Sequence, residues 1–109
     1  MYFQLPEPIA TYFQADRNTN ADAVAASFSE NAVVTDENNL YRGRDAIRRW
    51  RAEASAKYTY TVVPFAMTAE GDRTVVSSHL TGDFPGSPID LRYFFVLEDG
   101  KIAELEIKP

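Results

Sequence analysis

Phe28-Ser29-Glu30-Asn31-Ala32-Val33-Val34-Thr35-Asp36, and shortly after it Gly43-Arg44-Asp45-Ala46-Ile47-Arg48-Arg49-Trp50, is the stretch whose reading decides the fold. Ala32 to Thr35 is a run of small and β-branched residues and reads as a short strand. Asp36-Glu37-Asn38-Asn39 is turn chemistry, because short polar side chains hydrogen-bond their own backbone there. Leu40-Tyr41-Arg42 can then pair back before Gly43 breaks the run. A helix is expected from Arg44 to Ala56: Ala46, Ile47, Trp50 and Ala54 form its apolar stripe, with the arginines largely off it.

Toward the N-terminus, a helix is expected from about Pro6 to Asp16. Its prolines fall where a missing N–H costs little, and Ile9, Tyr12 and Phe13 share one face. A second helix runs from Ala21 to Ser29, with Asn20 as N-cap and Ala21, Val24 and Phe28 on one face. Toward the C-terminus the pattern changes to alternation. Tyr58 to Ala69 carries Pro64 at a bulge or an edge, and Arg73 to Phe84, Ile89 to Leu97 and Ile102 to Ile107 follow. Glu70-Gly71-Asp72, Pro85-Gly86-Ser87-Pro88 and Glu98-Asp99-Gly100-Lys101 separate them as turns. Two helices, a hairpin, a helix and four antiparallel strands imply an α+β layer structure, a curved sheet with helices laid on its concave face around a cavity.

The 109 residues amount to one domain, taken as residues 1–109. The absence of cysteine excludes disulfides, thiolate metal sites and a cysteine nucleophile. No apolar run approaches the ~20 residues that cross a bilayer, and the start lacks the make-up of a secretory signal, so a cytoplasmic domain is expected. Residues 1–4 resemble the remnant of a cleavage tag, equally fit native or disordered chain, and carry no argument. Eleven basic against sixteen acidic residues give a net charge of −5, which disfavours nucleic acid. Arg44, Arg48 and Arg51, spaced i, i+4, i+7, are read as one solvated stripe with Asp45 and Glu53 nearby. One histidine and no cysteine leave no recognisable metal-ligand spacing, so no metal or cofactor is expected.

The Phe28–Asp36 and Gly43–Trp50 segments resemble the signature of the SnoaL-like, ketosteroid-isomerase-like branch of the NTF2-like superfamily, and Asp99-Gly100-Lys101-Ile102 resembles its last hairpin. The resemblance implies a cone-shaped α+β barrel, three N-terminal helices packed on a curved antiparallel sheet around a deep pocket, commonly dimerised through the outer face of the sheet. It is specific for fold and not for reaction, since isomerases, cyclases, dehydratases, epoxide hydrolases and non-enzymatic binders share this architecture.

Asp36 shares a strand face with Val34 by parity. At the mouth of an apolar cavity it loses hydration, its pKa rises and it becomes a usable base; as the first residue of the Asp36–Asn39 turn it would instead be bonded to backbone N–H groups and more acidic. The resemblance puts it at the isomerase's proton-shuttling aspartate, eight residues after Phe28. Tyr12, sixteen residues before Phe28, falls where the isomerase has its oxyanion-hole tyrosine, and it equally fits a core position on the first helix. Asp90 and Arg92 alternate with Phe94 and Val96 on one strand face. The isomerase's second acid lies nearby, but counting back from Gly100-Lys101 puts Arg92 there rather than Asp90. Together with Asp36 they resemble the Asp-Arg-Asp set of epoxide hydrolases, with the strand order reversed; an internal salt bridge is the plain alternative.

His79 alternates with Val75, Ser77 and Thr81. It is either an acid–base group, as in some dehydratases of the superfamily, or a surface or hydrogen-bonded residue. Phe13, Phe28, Trp50, Phe65 and Phe94 are expected to wall the pocket or fill the core. The reading is a pocket enzyme acting on an apolar small molecule by proton transfer next to a carbonyl, an isomerase or cyclase, with Asp36 as base and Tyr12 with Asp90 or Arg92 steadying the oxyanion. Its alternatives are epoxide hydrolysis by Asp36, Arg92 and Asp90, and a non-catalytic ligand-binding or protein-interaction domain. A homodimer through the sheet is expected from the strands' remaining apolar residues.

Overall fold

The computed structural model describes residues 4–109; the tag-like residues Met1 to Phe3 lie outside that range. In chain order the elements are α1 (Glu7–Arg17), α2 (Ala21–Ala26), β1 (Phe28–Asp36), β2 (Asn39–Arg42), α3 (Arg44–Lys57), β3 (Tyr60–Glu70), β4 (Arg73–Gly82), β5 (Ile89–Glu98) and β6 (Lys101–Lys108). Asn20 caps α2, its side-chain oxygen accepting from the Ala23 N–H at 3.0 Å. Gly43 leaves β2 at φ +85°, a conformation a Cβ disfavours, and donates its N–H to the Ala32 carbonyl at 2.8 Å as α3 begins.

Three expectations change. The second helix ends at Ala26 and β1 starts at Phe28, so the strand expected over Ala32–Thr35 is longer at its N-terminal end. The sheet is also not closed into a barrel. Its order is β2-β1-β6-β5-β4-β3, with β2 and β3 as free edges, and β1 runs parallel to β6 while every other neighbouring pair is antiparallel. The helices are not all N-terminal to the sheet either, since α3 follows β2. The bulge anticipated at Pro64 is present as a register shift between Pro64 and Ala66.

All three helices cover one face of the sheet. Ile9, Tyr12 and Phe13 of α1, Val24 of α2 and Ile47 and Trp50 of α3 pack with Phe28, Val34, Val76, Tyr93, Phe95, Ile102 and Leu105 of the strands. At the centre, Tyr12, Phe13, Phe28, Tyr93 and Phe95 meet mostly edge to face, with centroids 5.1 to 6.4 Å apart. Among the described residues no helix is long and apolar enough to cross a membrane.

Candidate active site

The strand register decides which side chains face the helices. Asp36, Ile107, Tyr93 and Val76 stand in one row across β1, β6, β5 and β4. Asp36 and Tyr93 are two strands apart, so their backbones are separated by about 10 Å. Because Tyr93 and Val76 are core residues, Asp36 belongs to the helix-covered face, as its parity with Val34 requires. Its Oδ2 accepts from Trp50 Nε1 at 3.1 Å, and the Trp50 ring packs against Tyr41 at 6.0 Å. Burial pushes the Asp36 carboxyl above the ordinary aspartate range, with Glu37 adding to that and the Trp50 N–H and a backbone N–H of Glu37 pulling it down. The turn contact exists, but desolvation outweighs it.

Tyr12 is buried in the aromatic cluster. The carboxylate acting most strongly on it is Asp16, one turn further along α1, whereas Asp36 acts on Tyr60, Tyr93 and Tyr41. Burial is the leading reason that all of these phenols are less acidic than usual, Tyr60 being pushed up to about 12 and Tyr12 and Tyr93 well above the ordinary value. They are neutral hydrogen-bond donors at physiological pH.

A second polar group lies in the same interior, and sequence reading missed it. Arg51 is 2% exposed and Asp16 6%. Arg51 Nε donates to Asp16 Oδ1, Nη2 to the Asp16 carbonyl at 3.0 Å and Nη1 to Ser55 Oγ at 2.5 Å, and the guanidinium lies 5.2 Å from the Tyr60 ring centroid. The solvated stripe expected for Arg44, Arg48 and Arg51 therefore breaks up. Arg48 faces Asp22 at the surface, and Arg44 donates to the Phe28 carbonyl at 2.9 Å, but Arg51 points inward. The signal was present in the helical spacing: Asp16 is seven residues after Ile9 and Arg51 four after Ile47, each in line with its helix's apolar stripe.

The other predicted polar residues are not brought to this interior. Asp90 and Arg92 share a face with Phe94, as expected, but it is the face away from the helices; Leu91, Tyr93 and Phe95 point inward instead. His79 Nδ1 meets Asp90 Oδ1 at 2.6 Å in an exposed pair, and Arg92 donates to the Pro109 carbonyl at 2.7 and 3.2 Å. The set Asp36, Arg92, Asp90 is thus split between opposite faces of the sheet. Phe94 is no pocket wall: it is buried beneath Arg73, Arg92 and Lys108, which lie 4.6 to 5.3 Å from its ring on that outer face. Phe65 is 49% exposed on β3. Phe13, Phe28 and Trp50 do line the helix-covered interior. A surface groove by Thr11, Ala26 and Lys101 includes none of the predicted site residues.

The family model of the SnoaL-like domain matches residues 9–105. A Sinorhizobium meliloti protein of known structure, provisionally named a polyketide cyclase, is 40% identical, with 97% of this chain and all of that chain covered at a TM-score of 0.91. A Catenulispora acidiphila protein with a ketosteroid isomerase-like fold, crystallised with trimethylamine, is 18% identical, with 97% and 87% of the two chains covered at a TM-score of 0.85. The epoxide hydrolase/cyclase-like enzyme SalBIII of salinomycin pyran-ring formation is 23% identical, with 93% and 86% covered at 0.78. A search of curated proteins returned no match. Element order, the helix-covered face and a family match over nearly the whole chain agree: the chain belongs to the SnoaL-like family and has the fold of ketosteroid isomerase-like and NTF2-like structures.

Proposed function

We propose that this domain is a pocket enzyme that transfers a proton next to a carbonyl of an apolar small molecule, as an isomerase or cyclase does, with Asp36 as general base. The observation that carries this reading is the Asp36 carboxylate on the helix-covered face, held by Trp50 and made more basic by burial. A carboxylate made more basic by burial accepts a carbon-bound proton more readily than an exposed aspartate does.

In the proposed step, Asp36 takes the proton from the α-carbon. The C–H electron pair becomes the enolate double bond, and the carbonyl π pair moves to oxygen. Tyr12, Tyr60 and Tyr93 are neutral donors available to that oxygen, Tyr60 and Tyr93 being those within the field of Asp36. Where the substrate also carries a C=C next to that α-carbon, the enolate is a dienolate, and protonated Asp36 returns its proton to the far end of the conjugated system while the double bond shifts, giving an isomer. In a cyclisation, the enolate carbon instead attacks a second carbonyl of the same molecule, whose oxygen takes the proton. The name of the 40% identical relative favours the cyclase form, and a carbonyl substrate is common to both.

Proton exchange tests the reading without knowledge of the natural substrate. A panel of cyclic ketones is incubated in D₂O and loss of the α-proton signal is followed by NMR. Acceleration by the native protein that drops by at least about 10²-fold in Asp36→Asn supports the proposal. Equal exchange by the two proteins refutes it, and an Asp36 that titrates at the ordinary aspartate value of ~3.9 points to a binding domain instead.

A further inference from the structure

We propose that the buried Asp16–Arg51 pair is a second anchor in the interior, one that binds a hydroxyl and a neighbouring carbonyl of the substrate, as found together in an enolised 1,3-dicarbonyl, and so positions its carbon acid against Asp36. The inference deepens the function proposed above and rests on the same interior.

The pair is built for more than holding α1 to α3. A guanidinium has five N–H donors. Three of those of Arg51 are engaged, with Asp16 Oδ1, the Asp16 carbonyl and Ser55 Oγ, which leaves one on each terminal nitrogen without a partner among the described residues. Asp16 in turn uses Oδ1 for Arg51 and leaves Oδ2 as an acceptor without a described partner. Side by side, the two residues offer spare donors and a spare acceptor. That combination matches a ligand that both accepts and donates through adjacent oxygens; a bare ketone uses only the donor half, and a carboxylate meets the charge of Asp16.

The surroundings suit such a ligand. Tyr60 lies against the Arg51 guanidinium. The charge of Asp16 is felt by Tyr12, Tyr60 and Tyr93, and that of Asp36 by Tyr60 and Tyr93. Both phenols feel both acids, and the geometry ties one to each: Tyr93 stands in the strand row of Asp36, and Tyr60 lies against Arg51. Polar groups this deeply buried are normally saturated with hydrogen bonds; among the described residues Ser78 Oγ is the one fully enclosed side-chain polar atom without a partner, so the spare oxygen of Asp16 keeps surface that a small ligand can reach. A 1,3-dicarbonyl also has an acidic carbon between its oxygens, the feature a carboxylate base requires.

The test compares binding of acetylacetone, whose enol is populated beside the diketone in water, with that of 2-pentanone, by NMR titration. Four proteins are used: native, Asp36→Asn, Asp16→Asn, and the double variant Asp16→Leu with Arg51→Met, which removes both charges together so that neither is stranded. The native protein and Asp36→Asn are expected to prefer acetylacetone by about tenfold or more. Asp16→Asn, which loses the charged acceptor, is expected to show a reduced preference, and the double variant none, while its thermal unfolding shows that it is folded. An absent preference in the native protein overturns the proposal, and so does one that survives in the double variant. The two proposals fail separately. If Asp36→Asn exchanges α-protons as fast as the native protein while the preference follows Asp16 and Arg51, the base assignment fails and the anchor stands.

Discussion

Replacing Arg51 by Met removes one member of a buried ion pair and strands the other. Asp16 is 6% exposed, and Arg51 supplies its Oδ1 partner and binds its backbone carbonyl as well. Breaking a buried pair from one side costs about 3–5 kcal/mol. A domain of this kind is stable by roughly 5–15 kcal/mol, so the loss is a large fraction of the whole. For 109 residues the unfolding entropy near the midpoint is about 0.23 kcal/mol/K, which converts the loss into a Tm lowered by roughly 13–22 °C. Asp16 with Leu and Arg51 with Met together leave no stranded charge, and that double variant should lie within about 1 kcal/mol of the native protein or above it.

The deficit of the single variant also depends on pH. Burial already pushes the Asp16 carboxyl up, and Arg51 opposes that. Without Arg51 it rises further, so the folded state holds a proton that the unfolded state releases, and stability falls as pH rises from the unfolded carboxylate value through the folded one. Urea unfolding at pH 4 and pH 7.5 measures it: the gap from the native protein should be wider at pH 7.5. A loss below about 1 kcal/mol, or one that is the same at both pH values, would refute the account of a charge left unpaired in the interior.

Asp36→Asn should be more stable than the native protein at pH 7.5, because the folded-state carboxyl is pushed up by burial while Asn still accepts from Trp50; the gain should shrink on acidification as Asp36 itself takes up a proton, followed by thermal unfolding against pH. Trp50→Phe deletes a donor to the carboxylate, so the acidic limb of the exchange-rate profile should move to higher pH. Ser78 Oγ is buried with no hydrogen-bond partner among the described residues, and Ser78→Ala should raise stability by about 1 kcal/mol in urea unfolding. A Cβ at Gly82 would lie 2.4 Å from the Thr59 carbonyl and 2.6 Å from the Tyr60 Cβ, so Gly82→Ala should cost about 1–3 kcal/mol and disturb Tyr60 beside Arg51. Val63, Phe65 and Met67 stay exposed on β3; if a second copy covers the sheet, Phe65→Glu should convert dimer to monomer in light scattering.

Element order was legible in the chain because it depends on local chemistry. Asn20 capping α2, Gly43 ending β2, the stripe of Ile47 and Trp50, and the turns after the long strands are each decided within a few residues. The face taken by Asp36 was legible too, since Val34 two residues earlier is unambiguously apolar. The face of β5 was not, because Tyr93 to Leu97 is apolar at every position and both faces of the strand bury residues: Phe95 under helices, Phe94 under three cations. Alternation alone cannot orient such a run. Asp90 and Arg92 follow its parity to the outer face, and the epoxide-hydrolase-like set they would have formed with Asp36 is separated by the sheet.

What the sequence by itself determined is therefore the succession of elements, the α+β class and the inward aspartate, all consequences of short-range pattern. Only the tertiary structure decided that Asp16 and Arg51, thirty-five residues apart, meet beneath the helices beside Tyr60. A charged residue in line with an apolar stripe is tolerated only if a partner arrives from elsewhere in the fold, and that arrival depends on how α1 and α3 are laid across the sheet, which no local pattern specifies.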